Sequence, residues 1–378
     1  MLEHIISRFS LPGLLTSVDR FGSGLINDTY LCACSDKGAL RKYILQHINK
    51  TVFKHPELVM RNIELVTGHV QNRLRSEGVS EPESVTPALI QTKNGSSFYL
   101  DASSEYWRMF HFIETCEVFD TVTGAEHAYE IGRGLGRFQA LVSDLRPELL
   151  HDTLPGFHHT PVYLKEFDDA LASGTGNRVA AARGEIAFVN TRRPLARALT
   201  DHMASGRIPV RVVHNDPKIS NFLIHRETKK MVCMVDLDTV KPGLVHFDFG
   251  DCVRSVANPA GEDAADPGSV RIDLSLFEAI TRGYLAEARS FLIREEVALL
   301  PIAVNVITFE LGLRFLADYL RNDVYFKTTY AEHNLHRARV QFRLLESIEA
   351  VGDRMAALVE EQYATGKKSS AALRNDAK

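Results

Sequence analysis

The stretch Val210–Asp238, reading VRVVHNDPKISNFLIHRETKKMVCMVDLD, constrains the fold of this chain more than any other. One apolar run ends at Val213 and releases His214, Asn215, Asp216, Pro217 and Lys218 into a loop. Asn221 follows, and a second apolar run ending at Met234-Val235 delivers Asp236 and Asp238. Two strands therefore set acids, an amide and a lysine beside one another. Taken singly, Asp, Asn and Pro are ordinary turn formers. Their joint spacing, H-x-D-x-K-x-x-N and then a strand-borne Asp, is the layout that phosphoryl transfer needs. There the attacking hydroxyl is oriented by a carboxylate, a divalent ion is held by hard oxygens, and the γ-phosphate charge is balanced by a cation.

The chain ahead of this stretch reads as a small β-rich region. Strands are expected at Val18–Phe21, Leu25–Ala33 and Leu40–Leu45, with Gly22-Ser23-Gly24 between the first two. Glycines there let backbone N–H groups approach a ligand closely, as in a phosphate lid. A helix follows from Pro56 to about Arg75, with Leu58, Met60, Ile63, Val66, Val70 and Leu74 as its stripe. Further strands are expected at Ala88–Gln91, Ser97–Leu100 and Tyr106–Phe112. The segment Trp107–Thr115 then reads as a hinge, with Phe112 in it, whose backbone would meet a nucleotide base.

The rest is mainly helical. Helices are expected at about Ala125–Leu145, Pro161–Ala172, Glu185–Ala204, Leu274–Ala286, Glu295–Tyr319 and Glu332–Gln362. In Phe247-Asp248-Phe249-Gly250-Asp251 an acid buried among aromatics must be paired, so Asp248 is a candidate brace behind the loop; Asp251 or Arg254 would form a surface ion pair. Glu310 and Arg314 stand one turn apart, either pairing on the surface or with Arg314 turned to a substrate. The expected organisation is 1–115 as a nucleotide-binding lobe, 116–365 as a catalytic and substrate-binding lobe, and 366–378 as a disordered tail.

Composition narrows the partners. A net charge of −4 with no basic block gives no nucleic-acid surface. Cys32, Cys34, Cys116, Cys233 and Cys252 are scattered, without the spacing of a zinc site or a disulfide framework. His151, His158 and His159 share a loop that carries no ligand-spaced acid or cysteine. No leader is evident, and no run reaches the ~20 apolar residues of a membrane span. The expectation is a cytoplasmic protein with no membrane partner; its oligomeric state is left open.

His214-x-Asp216-x-x-x-x-Asn221 with Asp236 resembles the aminoglycoside/choline phosphotransferase branch of the kinase-like fold, and Asp248–Ser255 resembles the sequence that follows there. Within the branch, the chain looks most like bacterial N-acetylhexosamine 1-kinases. INDTYL, YILQHIN, VMRNIELV, HNDPKISN, VDLDTVKPG, FDFGD, LRFLADYL, DVYF and EHNLHRAR carry that likeness, up to about residue 360. The resemblance implies an α+β, two-lobed protein-kinase-like fold, ATP and Mg²⁺ as cofactors, and a neutral sugar as acceptor. By the same likeness Asp216 is the base or orienting acid, with His214 in its loop, and Lys218 neutralises the transferring phosphate. Asn221 and Asp236 would hold Mg²⁺, Arg314 and Tyr325 would touch the sugar, and Gly22, Gly24, Asn27, Arg61 and Phe112 would line the nucleotide. Leu25 stands where a sugar-contacting His is expected, Pro217 where Thr is usual, and Gln46 where a kinase has Lys, leaving Arg41, Lys42 and Arg61 as replacement cations. The alternatives are a kinase of an amino alcohol or aminoglycoside, and an inactive sugar or nucleotide sensor.

Overall fold

The computed structural model describes residues 2–22, 26–174 and 176–375, with side chains through 365. Gly24 and Leu25 of the expected lid and the side chains of the expected tail, 366–378, lie outside the described residues. The chain divides into two compact units. The first comprises Met1–Glu117, Leu141–Pro155 and Leu223–Pro242; the second comprises Val118–Ala140, Gly156–Phe222 and Gly243–Lys378.

The first unit is built on an antiparallel sheet of β1 (Leu14–Arg20), β2 (Asp28–Asp36), β3 (Ala39–His47), β4 (Tyr99–Leu100) and β5 (Tyr106–His111), in the order β1-β2-β3-β5-β4. The alternation of Cys32 and Cys34 with Tyr43 and Leu45 turns one face inward, onto α1 (Leu2–Ile6) and Trp107. Gln46 sits at the middle of this ladder, paired in register with Thr29 on one side and Arg108 on the other. The expected strand Ala88–Gln91 is only a single bridge, Leu89 to Phe110, because Pro87 removes a donor next to it. Helix α2 (Pro56–Ser76) buries Val59, Met60, Ile63, Val66, Val70 and Leu74, one face at helical spacing. A smaller sheet joins Cys116–Glu117 to Phe222–His225 and Met231–Met234, with Cys116 opposite His225.

The second unit is helical: α3 (Ala125–Leu141), α4 (Thr160–Ser173), α5 (Gly176–Ala181), α6 (Arg183–Arg192), α7 (Thr200–Ala204), α8 (Val245–Val256), α9 (Leu274–Ala288), α10 (Arg294–Ala298), α11 (Leu300–Leu320), α12 (His333–Ala350) and α13 (Gly352–Asn375). Three expected long helices are divided. Pro194 sits in a 3₁₀ turn, Arg193–Arg197, between α6 and α7. Pro301 falls in the first turn of α11, and Gly352 opens α13 after a break. Helix α11 is apolar around most of its surface, with mean hydropathy 1.5, and is by length and composition long enough to cross a membrane, contrary to the sequence expectation. Most of its residues are buried inside the protein, with α4, α8 and α12 packed around it, so its apolar surface is core.

Helices α3 and α9 meet backbone to backbone. A Cβ on Gly283 would fall 2.1 Å from the carbonyl oxygen of Tyr129, and one on Gly132 would fall 2.2 Å from that of Ile280. This closeness brings Gln139 of α3 within reach of Tyr284 of α9.

Candidate active site

Strand Arg211–Val213 ends at a loop whose first two backbone N–H groups are engaged from behind. Asp248, the first-turn acid of α8 and fully buried, accepts from the N–H of His214 at 3.0 Å and of Asn215 at 2.6 Å. Gln139 donates to the same carboxylate at 2.9 Å and is itself held by the Tyr284 hydroxyl at 2.7 Å. Burial pushes the Asp248 carboxyl above its usual range, while the neighbouring His214 and these donors pull it back. The expected brace is therefore present, and α8 reads poorly from sequence because nearly every residue of it is buried, acids included.

Asn215 takes a left-handed φ of +66°, which turns the chain so that Asp216 leaves the loop part-exposed. Lys218 reaches Asp216 Oδ2 at 2.7 Å. Asn221 donates its Nδ2 to the backbone and side chain of Asp216, at 2.8 and 3.2 Å, which commits the amide's donor side and leaves its oxygen as an acceptor. Burial raises the Asp216 carboxyl above the ordinary carboxylate range, and Lys218 opposes that rise. A partly protected carboxylate with elevated basicity suits a group that accepts or orients a hydroxyl proton. His214 is fully buried, stacks edge-on against Phe138, and takes the Asp216 N–H on Nδ1 at 3.3 Å; it shapes the loop from beneath.

A pocket of about 370 Å³ opens beside Lys218, Ile219 and Ser220 within the second unit. Asp120, Arg254, Asn258 and Glu262 line its other walls. Asp251 and Arg254, expected as surface groups, form a buried pair at 2.8 Å that Glu262 extends at 2.8 Å. Arg314 and Tyr325 do not line this pocket. Arg314 instead lies among the rings of Phe157, Tyr163, Tyr325 and Phe326, at 5.1–5.9 Å from their centroids, and forms no ion pair with a carboxylate among the described residues. The surface pairing of Glu310 with Arg314 does not occur, because Glu310 is buried and bonded to His158 and Thr160. Asp318 builds the loop that carries Tyr325: its carboxylate accepts from the N–H groups of Val324, Tyr325 and Phe326 and from Asn334, at 2.9–3.0 Å.

In the first unit, Asp236 sits at φ +64° before the turn Leu237–Thr239. Two residues on, buried Asp238 forms an ion pair with fully buried Arg108 and accepts from Asn27. Arg108 also donates to Gln46 at 2.9 Å, and Gln46 to Thr29 at 3.1 Å. Thus the Gln in place of a Lys has its own cation beside it, Arg108, which sequence reading missed. The signal was cross-strand register with Gln46, available only once β3 and β5 are paired. Of the other candidates, Arg41 faces Asp36 at 3.9 Å, Lys42 faces Glu114 at 4.0 Å, and Arg61 is exposed. Asn27 is committed to Asp238 and Asn49, Gly22 takes φ +73°, and Phe112 meets Phe21 edge-on at 5.8 Å. Asp236 offers a carboxylate and Asn221, in the second unit, an amide oxygen, each of them a donor type that a hard divalent cation takes.

The chain resembles in structure an aminoglycoside phosphotransferase from Alicyclobacillus acidocaldarius, at 12% identity and TM-score 0.62 over 95% of this chain and 96% of that one. A choline/ethanolamine kinase family protein from Mesorhizobium loti aligns at 16% identity and TM-score 0.56, over 94% and 98%. A spectinomycin phosphotransferase, solved with ADP and spectinomycin, aligns at 11% identity and TM-score 0.50, over 89% and 92%. These likenesses establish an aminoglycoside phosphotransferase-like kinase fold, α+β, with a sheet-bearing N-terminal region and a helical C-terminal part. Because the model of the phosphotransferase enzyme family (APH) also matches residues 17–285, the chain belongs to that family of small-molecule phosphotransferases.

Proposed function

We propose that the protein transfers the γ-phosphoryl group of ATP to the anomeric hydroxyl of N-acetylglucosamine, N-acetylgalactosamine or a related hexose, releasing ADP and the sugar 1-phosphate. The observation that carries the acceptor class is Arg314, a cation caged by four rings, bonded to the Tyr325 side chain and with no carboxylate in ion-pair contact among the described residues, Glu310 acting on it only at longer range. A guanidinium so placed offers donors to a carbonyl or hydroxyl oxygen and repels an ammonium, while the rings offer faces to a sugar. Phe157 of the cage adjoins His158, which bonds the Asn215 carbonyl at 3.0 Å, so the cage and the Asp216 loop are tied through two consecutive residues.

In this reading Asp216 takes the proton of the anomeric hydroxyl as its oxygen bonds to phosphorus and the bond to ADP breaks. That hydroxyl is more acidic than an ordinary alcohol, so orientation matters more than base strength. Lys218 offsets charge on the transferring group. Asn221 and Asp236 are the proposed Mg²⁺ donors; bound there, the ion would neutralise charge on the β- and γ-phosphates. Gly22, Arg61 and Phe112 remain the proposed nucleotide contacts, with Arg108 bracing the Asp238 turn. A second reading, an amino-alcohol or aminoglycoside kinase, draws on Asp120 in the pocket beside Lys218, since a carboxylate favours a cationic acceptor.

An ADP-release assay with Mg-ATP against free sugars and amino alcohols, with phosphorus NMR of the product, separates these readings. A sugar 1-phosphate supports the first, and turnover only with a cationic alcohol replaces it with the second. No turnover with any acceptor, while nucleotide still binds, would favour a sensor.

A further inference from the structure

His158 lies at φ +60°, 5% exposed, in the loop before α4. Its Nδ1 meets Glu310 Oε1 at 2.8 Å and its Nε2 meets the carbonyl oxygen of Asn215 at 3.0 Å. Phe157 and Phe247 cover its ring, with centroids 4.1 and 5.4 Å away. A neutral imidazole has one donor and one acceptor nitrogen, and a carbonyl can only accept. Nε2 must therefore carry hydrogen, and the short Nδ1···Oε1 contact needs a second proton, whichever of the two atoms holds it. The other Glu310 oxygen accepts the Thr160 hydroxyl at 2.7 Å, so no other donor is at hand for Oε1 among the described residues.

The bond to Asn215 holds the carbonyl of the peptide that leads into Asp216, whose N–H rests on His214 Nδ1 at 3.3 Å. Asp248 holds the N–H on one side of Asn215 and His158 the carbonyl on the other, so together they fix the orientation of the residue from which Asp216 departs. We propose that His158 and Glu310 form a proton-dependent positioning device for Asp216, in which one shared proton on the Nδ1–Oε1 line keeps the Asn215 carbonyl, and hence the Asp216 carboxylate, in its working orientation. This rests on the reading of Asp216 as the group that handles the acceptor hydroxyl. The charged groups facing the imidazole are Glu310 from α11 and, further off, Asp251 from α8; both favour the proton, against burial, which disfavours it, and the balance lies above the ordinary histidine range. Loss of that proton as pH rises leaves a lone pair against Oε1 and frees the ring to turn from Asn215.

The test combines a kinetic and a spectroscopic readout on the full chain. In the wild type, kcat falls on the alkaline side with a limb above the usual histidine range. In Glu310→Gln the amide can donate to Nδ1 of a neutral ring that still donates from Nε2, so that limb disappears. His158→Phe loses kcat by on the order of tenfold to a hundredfold, the scale of a displaced catalytic group, with the KM for ATP moving far less. Nitrogen NMR of the His158 ring reads the proton without any turnover, so failure of the sugar-kinase reading leaves this arm intact. An Nδ1 that at neutral pH neither carries a proton nor accepts a hydrogen bond, or a Glu310→Gln profile that keeps the alkaline limb, overturns the proposal. A loss of stability in both variants without a change in profile would overturn it equally.

Discussion

Removing the guanidinium of Arg108 should destabilise the protein far more than an ordinary charge deletion. Arg108 is 1% exposed and Asp238 3%, and they form an ion pair. In Arg108→Met, Asp238 keeps only one side-chain donor, Asn27, and Gln46 loses its bond on the β5 side. Breaking a buried pair by deleting one partner costs about 3–5 kcal/mol, because the remaining charge stays desolvated. For a unit of this size, at about 2–4 °C per kcal/mol, the melting midpoint should fall by roughly 6–20 °C. Calorimetry of Arg108→Met, Asp238→Asn and the double variant gives the coupling directly. The double variant removes the stranded charge and should recover a substantial part of the Arg108→Met loss. A midpoint within about 2 °C of wild type for Arg108→Met, or a double variant no more stable than that single one, would refute the buried-pair reasoning.

Asp216→Asn should lower kcat by on the order of 10²–10⁴ with nucleotide affinity retained, and an equal loss of both would remove Asp216 from the chemistry. His246 is buried and bonded through Nε2 to the Glu296 carbonyl at 2.9 Å, and burial pushes it down from 6.5 to about 4. The unfolded chain therefore takes the proton first, and stability should fall by up to about 3 kcal/mol as pH drops from 6.5 towards 4, a slope that denaturation of His246→Asn should show flattened. Asp318→Asn strips acceptors from the Val324–Phe326 backbone and should cost about 1–3 kcal/mol while raising the acceptor KM more than the ATP KM; equal changes in both would detach this loop from the acceptor.

The parts of the site that sequence could show are those that lie close together along the chain. His214, Asp216, Lys218 and Asn221 form one loop, and their spacing alone pointed to the family's chemistry; α2 was likewise legible because one of its faces is apolar at helical spacing. What could not be read were partnerships across the chain. Arg108 meets Asp238 over 130 positions and His158 meets Glu310 over 152, each a buried charge that looks in sequence like a surface residue. The same effect hid α8, whose acids face inward. The bridge at Leu89 and the breaks at Pro194 and Gly352 are cases where a single backbone restriction overrode a plausible apolar pattern.

The chain has a single tryptophan, Trp107, which neighbours Arg108 on β5, donates its indole N–H to Asp101 at 3.0 Å and lies 4.8 Å from the His47 ring. Every one of these groups belongs to the first unit. Indole fluorescence is therefore a built-in probe seated in that unit, whereas circular dichroism follows the helices, most of which lie in the other. Divergence between the two signals under denaturant would time the separate opening of the halves without a single added label.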